Sequence, residues 1–123
     1  MRIPTFAGAL ALATCLACAS TPPPRSQIAA AEAALRDAET AQAQTLATPE
    51  WNTARDKLER ARRELRDENY TTARELADEA LVEAQLAAAV ARSEAARKSS
   101  EAMQQTIRDL RDETDRASER VIP

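Results

Sequence analysis

The chain has no histidine, one glycine (Gly8), and one residue each of tryptophan, tyrosine and phenylalanine. Without histidine, the commonest general base and a frequent zinc ligand are missing. With a lone glycine, no Gly-rich phosphate loop can form. Neither proline nor glycine occurs between Glu50 and Ile122, so no residue in that span breaks a helix. Sparse β-branched and aromatic residues argue against strands. A basic cluster is also lacking: 17 Lys and Arg interleave with 20 Asp and Glu for a net charge of −3. Phosphate backbones select concentrated positive charge, so a nucleic-acid partner is excluded.

Ala, Glu, Arg, Leu and Gln are abundant, and all five favour helix. Alanine supplies much of the 44% hydrophobic fraction. Alanine-lined helices approach closely while each contact buries little apolar area, so a large core is not expected. The pairs Glu32/Arg36, Asp56/Arg60, Glu59/Arg63 and Glu94/Lys98 are spaced for intrahelical contacts. Each such pair contributes only about 0.2–0.5 kcal/mol, consistent with solvated faces.

The N-terminus carries one positive charge at Arg2, then an apolar run from Phe6 to Ala17 ending in small residues. This pattern is that of a secretory signal, and the run is too short for a stable membrane span. Its end, Cys15-Leu16-Ala17-Cys18, resembles the lipobox of bacterial lipoproteins, with Cys15 departing from the usual leucine. The resemblance implies residues 1–17 as a signal peptide. Cys18 would then become the mature N-terminus, carrying diacylglycerol and an amide-linked acyl chain such as palmitate. Ala19 stands where an aspartate would retain such a protein at the inner membrane, which implies the outer membrane. Cys15 and Cys18 also spell C-x-x-C, but no βαβ pattern and no second cysteine pair supports redox or zinc chemistry. No other cofactor is expected. Residues 18–25, with Pro22-Pro23-Pro24, read as a lipidated, extended linker holding the first helix away from the headgroups.

Residues 26–123 read as an all-α domain with helices at about 26–46, 49–67 and 70–120. Ser26 is the expected cap of the first, where Ile28, Ala31, Leu35 and Ala38 trace an apolar stripe. Thr48-Pro49-Glu50 marks the second start, with Thr48 as cap. Trp51, Ala54, Leu58, Ala61 and Leu65 recur at steps of three and four; Tyr70, Ala73, Leu76, Ala77 and Ala80 resume that rhythm after Glu68-Asn69. Two such faces joined by a short polar turn form an antiparallel hairpin, and Asn69 is the expected cap of its second helix. Trp51, Leu58, Leu65, Tyr70 and Leu76 are its candidate core. The tyrosine after the turn, between small residues of both helices, looks like half of a tetratricopeptide unit. Pro49-Glu50-Trp51-x-x-Ala54-Arg55-x-Lys57-Leu58-x-x-Ala61, with the lipobox, resembles the bacterial lipoprotein family of domain of unknown function 4398 over about Ser26 to Arg97. Glu68 stands where that family often has glycine. The resemblance implies an envelope lipoprotein and supplies no active site.

From Tyr70 to Arg120 the last helix would span roughly 75 Å at 1.5 Å per residue, beyond the reach of the other two. Ala73, Ala77, Ala80, Ala84, Ala87 and Ala91 keep a heptad. Ala95 and Ser99 then step by fours to Met103, and Met103, Ile107, Leu110, Thr114, Ala117 and Val121 return to heptads, as across a stutter. Met103, Ile107, Leu110 and Val121 have no evident partner within the chain. A coiled coil between copies and docking on another envelope protein are the competing readings.

Asp109, Asp112 and Glu113 alternate with Arg108, Arg111 and Arg116, as on a solvated ion-paired face. Lys98 beside Ser99-Ser100 lacks any means of excluding water. No catalytic residue, metal or small-molecule substrate is therefore expected. The sequence reads as a non-catalytic outer-membrane lipoprotein facing the periplasm, a scaffold or adaptor whose long helix extends from a three-helix arrangement. The rival is a periplasmic module binding hydrophobic ligands or envelope lipids by opening its alanine-rich bundle.

Overall fold

A computed structural model describes residues 22–121, so the signal-peptide and Cys18 expectations lie outside the described residues. Four helices follow one another: α1 (Arg25–Thr40), α2 (Ala43–Leu46), α3 (Thr48–Arg66) and α4 (Tyr70–Val121). Among the described residues there is no strand. The fold is all-α, a helical bundle with one long C-terminal helix.

Four ion pairs and one hydrogen bond give the directions of the helices. Lys57 on α3 reaches Glu79 and Glu83 on α4 at 3.2 and 3.0 Å, which is possible only if the α3–α4 hairpin is antiparallel. Arg62 on α3 meets Glu32 on α1 at 2.7 Å. Arg92 on α4 meets Asp37 on α1 at 2.8 Å, while Arg74 reaches back to the Pro22 carbonyl at 3.4 Å. Pro22 thus lies beside Arg74 and Asp37 beside Arg92, so α1 runs parallel to α4.

The core has two parts. Ile28, Ala31, Leu58, Ala61, Leu76, Ala77 and Ala80 are buried together, with Leu35, Leu65 and Leu81 packed against them. The second part is alanine throughout: Ala38, Ala43, Ala47, Ala87, Ala88 and Ala91, edged by Leu46, Trp51 and Val90. Methyl groups as the only buried side chains let the backbones approach closely, at the cost of little apolar area removed from water.

Several local details differ from the sequence reading. The first helical stretch breaks at Gln42, whose left-handed backbone (φ 62°, ψ 32°) starts the short α2. The break lets Ala38, Ala43 and Ala47 all reach the same alanine cluster as the chain turns back. Neither expected hydroxyl cap forms. The Ser26 hydroxyl, inside α1, donates to Gln27 Oε1, and that of Thr48 donates to the Gln44 carbonyl. Pro24, not Ser26, is the residue before the first helix, and it is fully buried, so the end of the proline stretch is docked on the bundle.

At the hairpin turn Glu68 takes the left-handed conformation (φ 61°). The Asn69 amide then donates to the Glu64 carbonyl at 2.9 Å and the Glu68 amide to the Leu65 carbonyl at 3.3 Å. This pair of bonds is the Schellman closure of α3, a role that favours glycine because it has no Cβ. The Asn69 side-chain amide donates to Glu64 Oε2 at 2.9 Å, which fastens the turn from outside.

Candidate functional site

The buried stripe of α4 runs through Ala73, Ala77, Ala80, Ala84, Ala87 and Ala91 and stops there. Ala95 and Ser99, which would continue it by fours, are exposed. Every side chain from residue 95 to residue 120 is exposed. At 1.5 Å per residue, that leaves about 39 Å of helix free of its own bundle.

Met103, Ile107 and Leu110 sit on this arm at 62, 41 and 63% exposure; the side chain of Val121 lies outside the described residues. Two further large apolar residues are exposed on the same helix where it does pack, Val82 at 63% and Leu86 at 48%. Val82, Leu86, Ala89, Ser93, Ala96 and Ser100 step by fours and threes into Met103, Ile107, Leu110, Thr114, Ala117 and Val121. The result is one unbroken heptad seam of twelve positions. It lies on the reverse side of α4 from the alanine stripe, since two residues along a helix, as from Ala80 to Val82, turn it about 200°. Fifteen charged residues occur between Val82 and Val121, and none falls on the seam.

Charge along the flanks is locally compensated. Arg97 pairs with Glu94 at 2.8 Å and Glu101 at 2.6 Å, Glu113 with Arg116 at 3.4 Å, and Asp109 accepts from Gln105 at 2.8 Å. The guanidinium of Arg97 holds the Glu94 carboxyl below its ordinary range. Where α3 meets α4, the Lys57 ammonium is held above its ordinary range, chiefly by its hydrogen bond to Glu83. An open cleft of about 340 Å³ lies there, bordered by Lys57, Asp78, Glu79, Val82 and Glu83. Its cation already faces two carboxylates, which leaves little charge to recruit an anion.

The candidate core residues fall in different places. Leu58 and Leu76 are buried and Leu65 packs on the same cluster. Trp51 edges the alanine cluster, with the Arg55 guanidinium 5.0 Å from its ring centroid and its indole N–H buried without an acceptor. Tyr70, the first residue of α4, is half-buried. A lipid entering the bundle would have to part alanines that are at most 2% exposed. Among the described residues, no group of three or more His, Cys, Asp and Glu side chains is placed to hold a metal ion. No helix among them is long and apolar enough to cross a membrane.

No curated protein and no solved structure matches the chain. Residues 26–103 match the family described as Domain of unknown function (DUF4398). That span holds nearly all of the bundle and reaches Met103 on the arm. The chain belongs to the family of the domain of unknown function DUF4398.

Proposed function

We propose that this chain is a non-catalytic scaffold or adaptor of the bacterial envelope, tethered by lipid on Cys18 to the periplasmic face of the outer membrane. The observation that carries the scaffold reading is the free arm of α4. It is helical through Val121, yet it buries nothing of its own chain beyond Ala91. Met103, Ile107 and Leu110 line up along one edge of it. An isolated helix gains little from propensity alone, so an apolar edge on such an arm favours a partner that covers it.

The tether is supported by the lipobox-like Leu16-Ala17-Cys18. Each buried methylene of an acyl chain contributes about 0.8 kcal/mol, and stable anchoring takes more than one chain. Pro24 and the Arg74–Pro22 bond place the entry of the chain at the start of α4, at the opposite end of the molecule from the arm.

Mass spectrometry of the protein from envelope fractions tests the reading. The expected N-terminal peptide begins at Cys18 with diacylglycerol and an acyl chain, and Cys18→Ala moves the protein out of the membrane fraction. An unmodified thiol in the exported protein would overturn the tether.

A further inference from the structure

We propose that the occupant of the α4 seam is α4 of a second copy, running antiparallel, with Val82 of one chain opposite Val121 of the other. The inference rests on the scaffold reading and names the partner of its arm.

Size complementarity sets the direction. With Val82 opposite Val121, Leu86 faces Ala117, Ser93 faces Leu110, Ala96 faces Ile107 and Ser100 faces Met103. Every long side chain of the central layers meets a small one, so a single close spacing suits the whole seam. A parallel, in-register pair stacks like on like. Ala89, Ser93, Ala96 and Ser100 would form four consecutive small layers, followed by three large ones at Met103, Ile107 and Leu110. No one distance between helices packs both blocks.

Charge on the flanks agrees. In the antiparallel pair Glu113 of the second copy lies across from Arg92, which Asp37 of its own chain also meets, twice by symmetry, and no like charges face each other beside the seam. In the parallel pair Arg92 lies across from Arg97, also twice. The body does not obstruct: α1 and α3 cover the opposite side of α4, which is why Val82 and Leu86 are exposed within the bundled half. From Val82 to Val121 the seam covers more than five heptads and about 60 Å, well beyond the three or four that mark a coiled coil.

The test places a photoreactive residue at Leu110 of the full-length protein in cells and maps the adducts by mass spectrometry. The expected main product joins two copies, with attachment within a helical turn of Ser93. Attachment near Leu110 of the second copy would overturn the antiparallel direction, and adducts only with a different protein would overturn self-pairing. Sedimentation of the purified full-length protein gives a second readout. Ile107→Asp is expected to yield monomers with helicity retained, because Ile107 lies beyond the bundle. Glu113→Arg, which sets guanidiniums across from each other beside Ser93, weakens the dimer on the order of tenfold, whereas Glu119→Arg, away from the flanks of the seam, leaves it unchanged. A monomeric parent protein at high micromolar concentration, or equal weakening by Glu113→Arg and Glu119→Arg, overturns the proposal. A free thiol at Cys18 would remove the tether but would leave these measurements of pairing as they stand.

Discussion

Replacing Glu68 with glycine is expected to stabilise the protein, although it deletes a charged side chain and creates no contact. Glu68 holds φ at 61° so that its amide and that of Asn69 can close α3 on the carbonyls of Leu65 and Glu64. A residue with a Cβ gives up about 1–2 kcal/mol in that conformation, through the clash with the following carbonyl. Glycine avoids the clash but brings a more flexible unfolded chain, a cost of roughly 0.5–1 kcal/mol. The net gain is about 0.5–1 kcal/mol, or roughly 2–8 °C in Tm for a domain of this size. Thermal unfolding followed by far-ultraviolet circular dichroism measures it, with Glu68→Ala as the control. Alanine keeps the Cβ and its clash, so its stability is expected to remain within about 0.5 kcal/mol of the parent. Equal shifts for glycine and alanine, or a lower Tm for glycine, would show that the left-handed conformation is not what limits the turn.

Ala87 is fully buried between helices, so Ala87→Leu is expected to cost about 1–3 kcal/mol by overpacking; denaturant titration would measure it, and an unchanged midpoint would contradict close packing there. Lys57 supplies a pH test: its pKa is raised above the ordinary 10.5, first by the hydrogen bond to Glu83 and then by Glu79. Its contribution is therefore fully present below the unfolded value and is lost as pH rises through the folded one. The Tm difference between the parent and Lys57→Met should accordingly shrink above pH 10.5, and a difference that grows there would reverse the sign.

The elements with large, widely spaced apolar residues were legible in the sequence. Leu58, Leu65 and Leu76 announce a hairpin because a leucine on a polar helix has only one comfortable side. The break at Gln42 was not legible, since Ala41-Gln42 carries neither proline nor glycine and α2 exists only because it completes an alanine cluster on α4. Ser26 and Thr48 have the right chemistry for caps, but both hydroxyls bond elsewhere once Pro24 and Ala47 precede the helices. The seam was half legible. Its distal part showed in Met103, Ile107 and Leu110, whereas Val82 and Leu86 were hidden by the more regular alanines around them. Alanine is indifferent to burial: Ala87, Ala88 and Ala91 are enclosed while Ala89 and Ala96 face water, so its spacing alone does not say which side is inside.

The bond from Arg74 to the Pro22 carbonyl bears on how such a molecule would sit on a bilayer. Cys18 is four residues from Pro22, so the chain can reach no more than about 14 Å from that carbonyl to the point where a lipid would be attached. In the proposed antiparallel pair the two Arg74 residues are some 55 helical steps apart, about 80 Å. Two greasy feet at that separation on one stiff beam would lay the dimer lengthwise on the leaflet. Neither foot could drift off alone, because its twin would hold it near the surface until it re-entered.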